Sequence, residues 1–439
     1  MILEIVGSTA MSGLLAYTFL DNHGTTEASK IQRIANNCGL HVREEGKQRT
    51  IHLLRRKRHS WGVEYVYRIP LGLSFDDFQS KKQHIEDGLN HKRGLLNITL
   101  NEIRSLRLNG DIVRQIKQLL SGVKHRKEIL MDYDGTLKIR VYNEPLPELI
   151  PYDDESIDSC RGWMLSVGVS REGVIYHDFD KIPHLVVAGT TNYGKSVFLK
   201  NVITTLIRTQ PDAVRFTLID LKGGLAFNRF ANVRQVETVA KDVDESLQAL
   251  RVIHSEMKQR QRDFLRKGYE DIKEARMKER HFIIVDEGAE LASQGEADLA
   301  VKKRKVECEH IIAEIARIGR GLGYRLIFAT QYPTGDTLPR QVKQNCDARL
   351  CFRLQTEVAS HVVLDESGAE SLPFIKGRAI YRTDRKHVVQ TPFIENEFID
   401  RIIRPHIVIK PRKEGPKYDG GSDKEAPAGR SYTLIVEET

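Results

Sequence analysis

The sequence predicts an α/β fold: a parallel sheet with helices on both faces, preceded by a small α+β unit. Three observations predict it. Beyond about residue 155, apolar β-branched runs (HLVVAG, FTLID, HFIIVDE, YRLIFATQ) alternate with long helical patterns, as in strands buried on both faces and joined by helical crossovers. Before residue 148, shorter helical and strand-like patterns alternate. Between the two, Pro145, Pro147 and Pro151 and the acids Asp153, Asp154 and Glu155 mark a linker.

The 439 residues exceed what one compact core usually holds, so two folded units with terminal appendages are expected. A 40% hydrophobic and 29% charged composition excludes a polytopic membrane protein and a wholly disordered chain. The net charge of +8 suits a polyanionic partner, although a merely solvated basic surface accounts for it equally well before motifs are considered. Cys38, Cys160, Cys308, Cys346 and Cys351 are scattered and lack CxxC or Cys/His metal spacing. They read as reduced packing thiols, with no disulfide framework or zinc site.

In chain order, residues 2–20 form an apolar stretch with Glu4 as its only charge, and basic residues follow it. Two readings stay open for residues 1–22: a single membrane anchor that leaves the basic remainder cytoplasmic, or a buried first element of a soluble domain. Residues 28–37 read as a helix, and residues 52–56 and 63–69 as a strand pair around the turn-prone 60–62. Ser74 to Asp77 is a cap-like helix start, and residues 128–141 are a hairpin around Asp134-Gly135. This unit, residues 25–150, shows no catalytic constellation. The second unit spans residues 155–400. Residues 405–439, rich in Lys, Gly, Pro and Asp, read as a disordered polar tail.

The chemistry is concentrated in the second unit. A strand at residues 184–187 runs into Gly189, Thr190, Thr191, Asn192, Tyr193, Gly194, Lys195 and Ser196 and then into a helical pattern, a full match to GxxxxGK[ST]. Glycines let successive backbone N–H groups turn onto phosphates, and the helix amino terminus adds partial positive charge. Lys195 is expected on the β- and γ-phosphates of ATP, and Ser196 on Mg²⁺. Residues 281–287 form an apolar strand ending in Asp286 and Glu287. Asp286 would hold Mg²⁺ through water, and Glu287 would orient and deprotonate the attacking water. A further strand, residues 326–329, ends in Thr330 and Gln331, where an amide beside the γ-phosphate can sense its presence. Gln331 is the candidate sensor, although this pattern alone favours an ordinary strand-end polar residue.

The phosphate loop, IDLKGG at residues 219–224, VDEGAEL at 285–291, IARIGRGLGYRLIFATQYP at 315–333 and GAESLPFIKGRAIYR at 368–382 together resemble the FtsK/SpoIIIE motor domain in order and spacing. The resemblance covers residues 155–395. It implies a RecA-like ring ATPase, a homo-hexamer that pulls double-stranded DNA through its channel. It also implies an arginine placed against the neighbouring subunit's γ-phosphate. Arg349 best matches the corresponding strand, with Arg320 and Arg317 as weaker candidates. The multiple spans, long linker and winged helix of the large chromosomal pumps do not fit here, and the compact layout resembles coupling proteins of conjugative elements. Expected partners are therefore DNA, a relaxase and transfer-channel proteins, in conjugation or DNA partition. Basic clusters at residues 55–58 and 302–305 are candidate phosphate contacts or solvated faces. A competing function is an ATP-binding adaptor that assembles a membrane complex, with hydrolysis secondary. A small-molecule kinase is disfavoured by the absence of a lid-like segment.

Overall fold

The computed structural model describes residues 26–44, 46–90 and 126–408. The apolar stretch at residues 2–20, with its two readings as an anchor or a buried first element, and the tail beyond residue 408 lie outside the described residues. Among the described residues no helix is long and apolar enough to cross a membrane.

Helix α1 (Glu27–Asn37) starts at Thr26, whose hydroxyl accepts the Ser29 N–H. A short ladder pairs β1 (Val42–Glu44) with β2 (Lys47–Arg49). Strands β3 (His52–His59) and β4 (Gly62–Arg68) pair antiparallel, and the expected strand pair thus runs further at its first strand. Ser74 and Asp77 form a reciprocal capping box that opens α2 (Phe75–Ser80), followed by α3 (Lys82–Asn90). The hairpin β5 (Glu128–Tyr133) and β6 (Leu137–Tyr142) completes a four-stranded sheet in the order β3-β4-β6-β5. Ile31, Ala35, Phe78, Ile85 and Leu89 from the helices bury one face of it against Tyr65, Tyr67, Ile129 and Ile139.

The second sheet has ten strands in the order β11-β10-β12-β13-β9-β14-β15-β16-β7-β8. Its members are β7 (Met164–Ser170), β8 (Gly173–Asp178), β9 (Leu185–Ala188), β10 (Val214–Asp220), β11 (Val236–Ala240), β12 (Arg280–Asp286), β13 (Tyr324–Thr330), β14 (Ala348–Phe352), β15 (Arg378–Arg382) and β16 (Lys386–Gln390). The expectation of a parallel sheet needs correction at one side. The strands from β11 to β14 run parallel, but β14, β15, β16, β7 and β8 pair antiparallel in succession. At two of these pairings the physical reason is connection length: β15 returns to β16 across Thr383 to Arg385, and β7 to β8 across Arg171 and Glu172, turns too short for a parallel crossover.

Helices α4 (Asp154–Asp158), α5 (Lys195–Thr209) and α10 (Asn396–Ile403) cover one face, and α6 (Val243–Lys267), α7 (Leu299–Leu322), α8 (Arg340–Asn345) and α9 (Glu357–Leu364) the other. Alternate residues of one strand therefore enter different cores. Leu185 and Val187 of β9, Phe282 and Ile284 of β12 face α5, while Val186, Ile283 and Val285 face α6 and α7. This two-sided burial is what a continuous apolar run encodes.

The expected linker is laid down on the sheet rather than free. Tyr152 N–H donates to the Phe393 carbonyl at 2.9 Å, Phe393 N–H to the Ile150 carbonyl at 2.7 Å, and Arg378 holds the carbonyls of Leu146 and Pro147. The tail expectation is likewise shortened: residues up to 408 are tied down by the Val233–Ile407 bridge and by Val408 N–H on the Asn232 carbonyl at 2.9 Å.

Candidate functional site: a phosphate cradle at the strand ends

Strand β9 lies between β13 and β14, and ends at Ala188. The chain then turns through residues 189–194 into α5, whose first residue is Lys195. Three devices hold this loop open. Asn192 and Gly194 adopt positive φ (70° and 117°), which turns successive backbone N–H groups to one side. Thr190 is tied twice to the Arg353 carbonyl, by its N–H at 3.2 Å and its hydroxyl at 2.9 Å. Phe352 fills the space beneath, so that a Cβ on Gly189 would stand 2.6 Å from the Phe352 Cβ. Gly194 serves as the helix cap without a side chain of its own, which leaves the amino-terminal N–H groups of α5 for an anion.

The other expected groups converge on this cradle. Strand β12 delivers Asp286 and Glu287, both buried. In register, Asp286 stands beside Asp220 at the end of β10. The Lys195 ammonium pairs with Asp286 and lies 3.7 Å from Glu287 Oε2. Glu287 sits at φ 66°, ψ 57°, a left-handed conformation uncommon for a residue with a side chain. It is held there from both sides. Its Oε1 accepts the Gln331 N–H at 3.0 Å and the Thr330 hydroxyl at 3.3 Å. The following Gly288 has no room for a side chain, since a Cβ would meet the Phe328 ring at 2.1 Å. The Gln331 side-chain carbonyl accepts the Thr191 hydroxyl at 2.7 Å. A continuous path thus runs from the cradle through Thr191 and Gln331 to Glu287. Ser196 is half-buried at the start of α5.

Beside the loop opens a cleft of about 440 Å³ lined by Thr190, Thr191, Tyr193, Tyr332, Arg353 and Phe374. A larger cleft of about 700 Å³, lined by Arg215, Glu256 and Arg260 among others, contains no residue of the phosphate loop. Of these two clefts, only the smaller is lined by residues of the phosphate loop.

Arg349 is not brought to its own chain's cradle. It stands in β14 opposite Val186, donates to the Val363 carbonyl at 3.0 Å and pairs with Asp365. Arg317 pairs with Glu314 at 3.3 Å, and Arg320 is exposed near the end of α7. Of the basic clusters, residues 55–58 lie on the edge strand β3 and are exposed, while Arg304 and Lys305 are spent on Asp244 and Glu296. Two contributors carry no assigned role in the motifs above. Phe352 was missed because its function is shape. Lys222 lies inside IDLKGG, and its ammonium stands 3.2 Å from Glu287 Oε2.

Residues 163–282 match the FtsK/SpoIIIE family. The DNA translocase FtsK of Bacillus cereus is 32% identical over 228 residues, which cover 47% of this chain and 28% of that protein. FtsK of Leptospira interrogans is 33% identical over 223 residues, covering 47% and 22%. The chain thus spans about a quarter of the length of the curated relatives it matches. Among solved structures, the pCW3 conjugation coupling protein TcpA, a monomer form with ATPγS, superposes with a TM-score of 0.57 at 20% identity, over 86% of this chain and 99% of that one. The cytoplasmic domain of the type VII secretion ATPase EccC from Thermomonospora curvata does so at 0.50 and 22%, over 62% and 33%. These two likenesses concern the fold. The ordered motifs and the match over residues 163–282 make the P-loop unit of this chain similar to the FtsK/SpoIIIE family.

Proposed function

We propose that this protein is an ATP-driven DNA translocase, a homo-hexameric ring acting on double-stranded DNA in conjugative transfer or partition of a mobile element. The observation that carries the reading is the convergence of an open phosphate loop, a buried acid pair and a strand-end amide on the carboxyl ends of neighbouring parallel strands, where α/β folds bind ligands. In this reading the N–H groups of residues 191, 192 and 194–196 and the Lys195 ammonium bind the triphosphate, and Lys195 leaves Asp286 to do so. Ser196 and Asp286, both hard oxygen donors, fit Mg²⁺, which would neutralise charge on the β- and γ-phosphates. Glu287 orients the attacking water with Oε2, the carboxylate oxygen that carries no hydrogen bond. Gln331, hydrogen-bonded to Thr191, reports on the occupant of the loop. Arg349 would reach a neighbour's nucleotide only by leaving Asp365.

The fold likeness to TcpA over most of the chain supports the coupling-protein form of this reading, with a relaxase or channel protein as recruiting partner. The exposed basic edge strand β3 supplies positive charge for a DNA backbone. Steady-state ATP hydrolysis with and without linear double-stranded DNA tests the proposal, with Lys195→Ala and Glu287→Gln beside the wild type. DNA stimulation lost in both variants is expected. Hydrolysis indifferent to DNA in protein that forms rings would refute translocation and favour an ATP-gated adaptor.

A further inference from the structure

The loop after β10 has no part in the scheme above. Asp220, the last residue of β10, folds it: its carboxylate accepts the N–H groups of Lys222 at 3.2 Å, Ala226 at 2.7 Å and Phe227 at 3.3 Å. Gly223 and Gly224 follow Lys222 at φ 81° and 80°, a conformation that glycine adopts without strain. Leu225 at the tip is 85% exposed. This loop directs the Lys222 ammonium at Glu287 Oε2, 3.2 Å away and closer than Lys195 at 3.7 Å.

The two carboxylate oxygens of Glu287 are thereby in different states. Oε1 is engaged by Gln331 and Thr330, whereas Oε2 receives no hydrogen bond and faces two ammonium groups. Oε2 is also the oxygen left to accept a hydrogen bond from water. A triphosphate would draw Lys195 away, whereas Lys222 belongs to a separate loop, outside the phosphate loop. An ammonium has three donors and no acceptor, so it can occupy the place of a water but cannot do its work. Lys222 has somewhere to go, since its side chain is 44% exposed, whereas Glu287 is 3% exposed and held in place.

We propose that Lys222 is a positioning residue that latches Glu287 in the resting site, so that hydrolysis waits on movement of residues 221–227. The inference rests on the ATP-hydrolysis reading above. Movement of the exposed loop withdraws the ammonium and frees Oε2 for water.

The experiment compares full-length wild type, Glu287→Gln, Lys222→Met, Lys222→Arg and the double variant Lys222→Met/Glu287→Gln. ATP turnover without DNA is measured, together with the affinity for a fluorescent ATP analogue. Lys222→Met is expected to raise DNA-free kcat roughly fivefold, the factor that a partly exposed ion pair is worth, with nucleotide affinity unchanged. Lys222→Arg, which keeps the cation, restores most of the restraint, and the double variant abolishes the gain. A Lys222→Met turnover at or below wild type, against Glu287-dependent hydrolysis in the wild type, would overturn the latch alone. Wild-type protein without Glu287-dependent hydrolysis would overturn the ATPase reading and the latch with it.

Discussion

Asp180, between β8 and β9, ties together the amino-terminal ends of two central strands. Its carboxylate accepts Arg280 of β12 through Nε at 2.9 Å and Nη2 at 3.1 Å, and Arg325 of β13 through Nη2 at 2.8 Å. Both guanidinium groups are buried, Arg325 with only 2% exposure. Burial pushes the Asp180 carboxyl up, but the two arginines outweigh it and hold the group below the usual carboxylate range. Asp180→Ala leaves two buried cations without a carboxylate, held by the carbonyls of Met277 and Glu279 and the Trp163 ring for Arg280 and by the carbonyls of Arg320 and Tyr324 for Arg325. Removing one partner of a buried ion pair costs ~3–5 kcal/mol. Because Asp180 is itself partly exposed, the lower end, about 3 kcal/mol, is expected. That is a large share of a typical stability of about 5–15 kcal/mol, and corresponds to a fall in melting temperature of about 6–12 °C. The phosphate site should be spared, since the seven residues of β12 put roughly 20 Å between Arg280 and Asp286 at about 3.3 Å per residue. Urea unfolding of the two proteins, with nucleotide affinity measured well below the melting temperature, separates the effects. A stability loss under about 1 kcal/mol would show that the triad is dispensable, and weakened nucleotide binding in still-folded protein would refute its separation from the site.

Gly189→Ala should weaken nucleotide binding and cost about 1–3 kcal/mol of stability, because the new Cβ meets Phe352 where the backbone has no slack; calorimetric titration with an ATP analogue checks it. Thr191→Val removes the donor to Gln331 and should lower DNA-stimulated turnover about fivefold while leaving ATP binding in place, the worth of one hydrogen bond of about 1 kcal/mol. Stability should also fall in mild acid. Burial pushes the imidazoles of His177, His184 and His281 down to about 4, 3 and 3, and for the last two nearby arginines add to it. The unfolded chain therefore takes up protons below about pH 6.5 that the folded protein refuses. The stability these residues contribute is present above that pH and is lost toward pH 4, with a slope approaching about 4 kcal/mol per pH unit where all three act. Urea midpoints that stay level between pH 6.5 and 5 would contradict this.

Much of the second unit is legible in sequence because each feature is local. The phosphate loop, the apolar run ending in Asp286-Glu287 and the run ending in Thr330-Gln331 need only short-range rules: buried strands read as continuous apolar segments, and phosphate loops demand glycine at fixed spacing. The same holds for the Ser74–Asp77 cap and the Asp134-Gly135 turn. What tertiary structure decided involves pairs distant in the chain. The order of the strands brings β12 and β13 beside β9. The seat of Phe352 under Gly189 and the antiparallel return of β14 to β8 likewise depend on how the chain is wound. Docking of Pro145, Pro147 and Pro151 against the sheet could not be told from a free linker, because composition reports the lack of N–H donors and not which neighbour accepts the segment. Lys222 was visible as a letter in IDLKGG. Its approach to Glu287 requires β10 and β12 to lie side by side in register, Asp220 against Asp286, and that register is set by packing on both faces of the sheet.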